Sequence, residues 1–485
     1  MVDLEGDGKI PLYEKIYHHI RTEIVEGRIP RGEKLPSTRL LAGNLAVSRS
    51  TVEMAYDQLL AEGYIRAEPC RGFFVCDISG LYQTGGQMQR SPEEPEREKG
   101  RAGTDFSPYA VDTEHFPFAI WRKITANILA DEREELLDAG DGQGEYGLRD
   151  AIAGYLHQAR GVVCSASQIV LGAGNEYLEM LMVQLLGRGR TILMENPGYT
   201  QAYRTFFGAG WHVELFSAGE ALSAEFPTVS APAERGTVSA AASGGEEAGL
   251  IYVMPSHQFP LGTVMPFRER LRLLSWAAEK EERFLIEDDH DSEFRYRGKP
   301  VPSLQSADRH GKVIYLGTFS KSIAPSLRVS YMVLPPVLLE RYHRKCGFYS
   351  VTVPVMQQKI LHIFLREGHF ERHLNRMRGI YRVKHDFLLG ELKKRSWVGK
   401  ISGDHAGLHL LVEVRTEMDE RELCRRARAE GIIISGLSQY DLSMGCCEKT
   451  GGCAPQLLLG YGGLNETEMK RGLAILDYIV EEEQK

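Results

Sequence analysis

The sequence predicts an α/β protein in two parts: a small winged helix-turn-helix at the N-terminus, then a large domain with a mostly parallel sheet that ends in a small C-terminal α/β lobe. Residues 11–60 carry apolar stripes at helical spacing and run into a short ribbon, while from Phe106 onward short apolar runs alternate with longer helical segments. Two of those runs end in residues that carry chemistry, Phe284-Leu285-Ile286-Glu287-Asp288-Asp289 and Val313-Ile314-Tyr315-Leu316-Gly317-Thr318-Phe319-Ser320-Lys321-Ser322. In an open α/β sheet such strand ends share one edge, where ligands bind. A lysine shielded by apolar neighbours there loses its proton readily enough to form a Schiff base. At 485 residues the chain is long enough for two or more domains, each with a sizeable core.

A formal net charge of −8 makes the chain mildly acidic, which confines any nucleic-acid contact to a local basic patch. The eight cysteines show no short, even spacing and no signal-peptide layout opens the chain, so a reducing cytoplasm is expected. No apolar run has the length needed to cross a bilayer, so no membrane partner is expected.

In the first helix, Leu12, Ile16, Ile20 and Ile24 share a face, with Pro11 suited to the first turn. Leu35-Pro36-Ser37 opens a second, with Leu40, Leu41 and Leu45 as its apolar face. Ser48 is an N-cap for a third through Leu60, which points Val52, Ala55, Tyr56 and Leu59 inward. A ribbon from Glu62 turns at Cys70-Arg71-Gly72 and returns as Phe73-Phe74-Val75. Between positions 28 and 51, Arg28, Arg31, Lys34, Arg39 and Arg49 face only Glu33. In a helix-turn-helix the N-terminus of the second helix of the pair enters the major groove of double-stranded DNA, which here offers Ser48, Arg49, Ser50 and Thr51. Arg39 and the wing tip, Arg71 and Gly72, are placed to reach phosphates. Pro11-Leu12-Tyr13, Leu35-Pro36-Ser37-Thr38-Arg39-Leu40-Leu41-Ala42, Val47-Ser48-Arg49-Ser50-Thr51-Val52 and Ala61-Glu62-Gly63-Tyr64-Ile65 resemble the DNA-binding domain of the GntR family. The DNA-binding domain is assigned to residues 1–76.

Residues 77–104 shift to Gly, Ser, Pro, Glu, Arg and Gln and are read as a solvated linker, and 105–485 as the large domain. Within it Ile169-Val170-Leu171 leads through Gly172-Ala173-Gly174-Asn175-Glu176 into a helix. A strand, a glycine turn and a helix N-terminus make an anion site. Residues 217–249, rich in Ala, Ser, Gly and Glu, are expected to be an irregular insertion.

Gly144-Glu145-Tyr146-Gly147-Leu148-Arg149, Asn196-Pro197-Gly198-Tyr199, Met254-Pro255-Ser256-His257-Gln258-Phe259-Pro260-Leu261-Gly262, Glu287-Asp288-Asp289-His290-Asp291-Ser292-Glu293-Phe294-Arg295 and Gly317-Thr318-Phe319-Ser320-Lys321-Ser322 are similar to the aminotransferase-like domain of fold-type I pyridoxal-phosphate proteins. Behind a GntR head, this order resembles the MocR/GabR family of transcriptional regulators. The resemblance implies that Lys321 holds pyridoxal 5'-phosphate as an internal aldimine and that Asp288, 321 − 288 = 33 residues earlier, pairs with the pyridine nitrogen. It implies that Arg328, Thr318 and Ser320, with the turn at Gly174 and Asn175, grip the phosphate, and that Tyr199 stacks on the ring. It implies a homodimer whose effector is a small amine or amino acid.

Three departures bear on that chemistry. His290 stands where family members usually carry a tyrosine that bonds the phenolic oxygen; an imidazole donates there with shorter reach and a titratable charge. Ala139 aligns with a tyrosine that reaches the partner subunit's phosphate in many fold-type I members. Pro455–Tyr461 holds only apolar residues, glycine and glutamine where aminotransferases place an arginine for the substrate carboxylate. Effector sensing is therefore expected rather than full turnover. Two other readings stay open on the sequence: an aminotransferase with an appended head, and a regulator whose large domain has lost the cofactor. The cysteines at 446, 447 and 453, with Cys424, lack zinc-site spacing, and no metal is expected.

Overall fold

The computed structural model describes residues 11–77, 103–131, 134–218, 249–296, 298, 301–443 and 454–483. Nearly all of the expected linker, the expected insertion between 219 and 248, and the cysteines at 446, 447 and 453 lie outside the described residues. The chain divides into two compact units, Met1–Gly100 and Arg101–Lys485.

In the head, α1 (Leu12–Val25), α2 (Thr38–Leu45) and α3 (Arg49–Ala61) precede an antiparallel ribbon of β1 (Ile65–Glu68) and β2 (Gly72–Val75). Ile16, Ile20 and Ile24 of α1 meet Val52, Ala55, Tyr56 and Leu59 of α3, all buried. Each large aliphatic side chain removed from water here contributes roughly 1.5–3 kcal/mol. The turn between α2 and α3 is tight because Ala46 takes a left-handed conformation (φ 53°) and Ser48 caps α3, accepting from the Thr51 N–H at 3.2 Å. Two expected core residues are not in the core: Leu12 is 44% and Leu40 57% exposed. Leu12 lies in the opening turn of α1, and the buried contact of α2 comes from Ala42 with the half-buried Leu41 and Leu45, on the side opposite Leu40. A further edge joins the ribbon, with Gly32 N–H donating to the Val75 carbonyl (3.0 Å) and Leu35 N–H to that of Phe73 (2.9 Å).

The body starts with β3 (Thr104–Asp105), which pairs in parallel with Ile432–Ile433, followed by α4 (Phe118–Asp131) and α5 (Tyr146–Arg160). Seven strands then form one sheet: β4 (Ile169–Gly172), β5 (Thr191–Asn196), β6 (His212–Ser217), β7 (Leu250–Val253), β8 (Phe284–Asp289), β9 (Val313–Thr318) and β10 (Ser330–Val333), in the order β4-β10-β9-β8-β7-β5-β6. Only β10 runs against its neighbours. Strands β4, β7 and β8 are buried throughout, as a sheet covered on both faces requires. One face packs on α6 (Asn175–Leu186), whose Leu178 and Met182 meet Met194, Tyr252, Ile286 and Leu316. The other packs on α5 and the helices Val355–Arg366 and His369–Leu392. The terminal lobe is a four-stranded antiparallel sheet, Val398–Ser402, His409–Val414, Gln456–Gly460 and Ser435–Gly436, with helices Glu420–Ala429 and Glu466–Glu483.

Candidate functional site

Beyond the C-terminal ends of β8 and β9 lies a pocket of about 250 Å³. Lys321, Asp288, Tyr199, Arg328, Ser320, Thr318, Asn175 and His290 all line it, and Gly174 shapes its rim from behind. Lys321 follows β9 and remains half-buried because the pocket reaches it. Its Nζ donates to the Pro108 carbonyl at 2.7 Å and lies 5.6 Å from the centre of the Tyr109 ring. Desolvation lowers its pKa, against the pull of the Asp291 carboxylate.

Asp288 is the penultimate residue of β8 and only 2% exposed. It accepts from the Tyr252 hydroxyl on neighbouring β7 and, at 3.4 Å, from Asn175 Nδ2. Burial raises its pKa, a shift that nearby His290 and the Tyr252 bond only partly offset. Asn175 begins α6, and its Oδ1 is buried with no hydrogen-bond partner. Gly174 before it has φ 103°, and a Cβ there would stand 2.1 Å from Arg328 Nη2, so the rim admits only glycine. Arg328 Nη2 donates to Glu176 Oε2 at 2.6 Å. Because β10 pairs Ser330 with Thr318 in register, their hydroxyls meet at 3.0 Å, and Ser320 Oγ lies 3.1 Å from Thr318 Oγ1.

Tyr199 forms a wall, edge-on to Phe259 at 6.2 Å between ring centres. His290 has Nε2 3.4 Å from Asp291 Oδ2, outside hydrogen-bonding geometry. Desolvation disfavours its charge, but the Asp291 and Asp288 carboxylates together outweigh it and raise the pKa. Asp291, 1% exposed, also accepts from His257 Nδ1 at 2.9 Å, so the imidazole of the Ser256-His257-Gln258-Phe259-Pro260 stretch buttresses the loop that carries His290. Ala139 is exposed and does not line the pocket. Leu457, Leu458 and Leu459 are buried in a lobe strand, and Arg328 is the one guanidinium among the residues lining the pocket.

Several lining residues were not singled out from the sequence: Tyr109, Glu176, Gln201 and Met254. Nor was Tyr252, which stands behind Asp288 on β7. Glu176 alone carried a local signal, as the acid in the first turn of a helix that opens on glycine.

On the head, Arg39, Ser48, Arg49, Ser50 and Arg71 are exposed, with Thr51 and Gly72 half-buried beside them. The Ser48 hydroxyl is taken up by the cap and lies 2.8 Å from Ser50 Oγ and 2.7 Å from Thr51 Oγ1. Arg49 pairs with Glu53 at 2.7 Å and Arg71 with Glu68 at 2.5 Å, both exposed contacts that a phosphate displaces at little cost.

Residues 12–75 match the gntR family of bacterial regulatory proteins, and residues 106–448 match aminotransferase class I and II. An uncharacterized HTH-type transcriptional regulator of Bacillus subtilis strain 168, YdeL, is 38% identical over 96% of each chain. The probable rhizopine catabolism regulatory protein MocR of Rhizobium meliloti is 31% identical over 98% of this chain and 94% of its own. The chain belongs to the MocR-type transcriptional regulators. This MocR-type regulator is also similar in fold to the multiple substrate aminotransferase of Thermococcus profundus, with a TM-score of 0.67 and 21% identity, covering 84% of this chain and 99% of that one. Its GntR head implies DNA binding. No helix among the described residues is long and apolar enough to cross a membrane.

The aminotransferase fold implies pyridoxal phosphate. The residues present fit that group: an amine with a depressed pKa, a buried carboxylate across the pocket, an unpartnered Asn175 Oδ1, and a guanidinium over a glycine rim.

Proposed function

We propose that this regulator senses a small amine or amino acid through pyridoxal phosphate attached at Lys321, and transmits occupancy to operator binding by the head. The observation that carries this reading is the enclosure of the Lys321 amine and the Asp288 carboxylate in one pocket, with desolvation pressing on both. When bound, the cofactor supplies an aldehyde carbon reactive toward primary amines and a ring nitrogen that draws electrons from it. Lys321 Nζ, desolvated and held by the Pro108 carbonyl, gives up its proton readily and so serves as the attaching amine. Asp288, steadied by Tyr252 and Asn175, offers its carboxylate to a protonated ring nitrogen. Arg328, Ser320, Thr318 and the turn at Gly174 and Asn175 would hold the phosphate, Tyr199 would cover a ring face, and His290 would face the phenolic oxygen.

Sensing is favoured over turnover by the lobe strand Gln456–Gly460, which carries buried leucines and, among the described residues, no arginine for an α-carboxylate. We take the acting form to be a cytoplasmic homodimer on double-stranded DNA. The test is a visible absorbance spectrum of the purified full chain, with and without added cofactor. Lys321→Ala should lose the band of lysine-bound cofactor while its far-ultraviolet circular dichroism stays unchanged; a band that survives the substitution sinks the assignment of Lys321.

A further inference from the structure

Glu176 lies in the first turn of α6, one residue after Asn175, and lines the same pocket. Its Oε2 accepts from Arg328 Nη2 at 2.6 Å, and the two side chains keep 45% and 51% of their surface exposed. A Cβ placed on Gly174 would meet both partners, Arg328 Nη2 at 2.1 Å and Glu176 Oε2 at 2.8 Å. A helix N-terminus, a guanidinium and a glycine cut-out each favour an anion, and here they converge on one spot. The anion that Arg328 holds there is the chain's own carboxylate. A carboxylate and a phosphomonoester are alternative partners for one arginine, and if both stayed, like-charge repulsion and desolvation would oppose the second.

We propose that Glu176 is a tethered competitor for the phosphate end of the pocket, an affinity-determining residue that must release Arg328 before a phosphorylated ligand takes its place. This rests on the reading of the pocket as a pyridoxal-phosphate site. The ion pair is half exposed, so solvent and salt weaken it and the exchange stays reversible. Cofactor loading is then graded by ligand concentration instead of being locked in.

The test uses the full chain, stripped of cofactor, titrated with pyridoxal phosphate and with phosphate-free pyridoxal by visible absorbance, and with inorganic phosphate by thermal shift. Glu176→Gln should tighten pyridoxal phosphate by roughly two- to fivefold, the range of a screened charge interaction, and leave pyridoxal unchanged. It should also enlarge the stabilisation by inorganic phosphate, and Glu176→Ala should do the same, which guards against a folding artefact of either change. Arg328→Gln should weaken the phosphorylated ligand alone. Unchanged or weaker pyridoxal-phosphate binding in both Glu176 variants, with the wild-type chain loading normally, overturns the inference and leaves the cofactor reading standing. Equal tightening of both ligands also overturns it, since the effect then lies away from the phosphate end. If neither the wild-type chain nor the variants take up either ligand, the cofactor reading and this inference fall together; loading by Glu176→Gln alone supports both.

Discussion

Glu179 has the least satisfied charge among the described carboxylates near the pocket. It is 0% exposed on α6, and neither oxygen has a hydrogen-bond partner; the Thr205 hydroxyl donates to the Gln201 carbonyl instead, at 2.9 Å. Burial, then the Asp288 charge, push its pKa up to about 8. A raised acid pKa means that the folded chain binds the proton more tightly than the unfolded chain. Stability from this group is therefore complete below the unfolded value of 4.5 and is lost progressively as pH rises through about 8. Glu195, Glu287 and Glu293, each pushed up to about 7 by burial, act in the same direction. Glu179→Gln should thus stabilise the protein at pH 9 by an amount on the order of 5 kcal/mol and have little effect at pH 4.5, read by denaturant unfolding at both values. A pH-independent effect would show that packing, not ionisation, governs the site. Leu178, Leu181, Met182 and Leu185 lie on the buried face of this helix, and Glu179 lies buried beside them. Because α6 is covered nearly all round, burying Val183 and Leu186 as well, the acid is carried in with its neighbours, and no amphipathic stripe could announce that.

At the scale of elements, what was legible followed from local physics. Ser48 caps α3, and Val52, Ala55, Tyr56 and Leu59 form its buried stripe, because a hydroxyl before an apolar helical repeat has one favourable use. Ser48→Ala should cost about 1 kcal/mol of head stability and weaken operator binding, since it frays the end of α3 that is proposed to meet DNA; thermal unfolding and operator titration would read the two effects. Unaltered operator affinity in that variant would mean that α3 does not present its N-terminus to the groove. The ends of β8 and β9 were legible for a related reason, as apolar runs buried on both faces must stop where polar residues begin. The edge at Gly32–Leu35 was not, because it joins the wing through backbone bonds alone and shows no alternation. Nor was Pro108, whose carbonyl meets Lys321 across 213 positions of sequence. Such contacts are properties of topology, and no window of residues contains them.

For the whole molecule, a DNA-reading unit and a pocket-bearing unit sit on one chain, and each folds around its own core. An amine that shifts operator affinity can do so only by binding one arrangement of the protein better than the other. Linkage makes that coupling reciprocal for equilibrium binding: whatever factor the amine imposes on operator affinity, the operator must impose on amine affinity. Reciprocity does not hold when the amine is consumed, because a steady state replaces the equilibrium. Two titrations on the cofactor-loaded full chain therefore separate a sensor from an enzyme: operator binding with and without saturating amine, and amine binding by absorbance with and without saturating operator. Equal factors are expected. The strand Gln456–Gly460 carries buried leucines in place of a carboxylate grip, which supports the proposed reading of exchange at Lys321 without release of product. Unequal factors, with the lysine-bound absorbance band lost and a keto acid released from the amine, would instead identify an aminotransferase carrying a DNA-binding head.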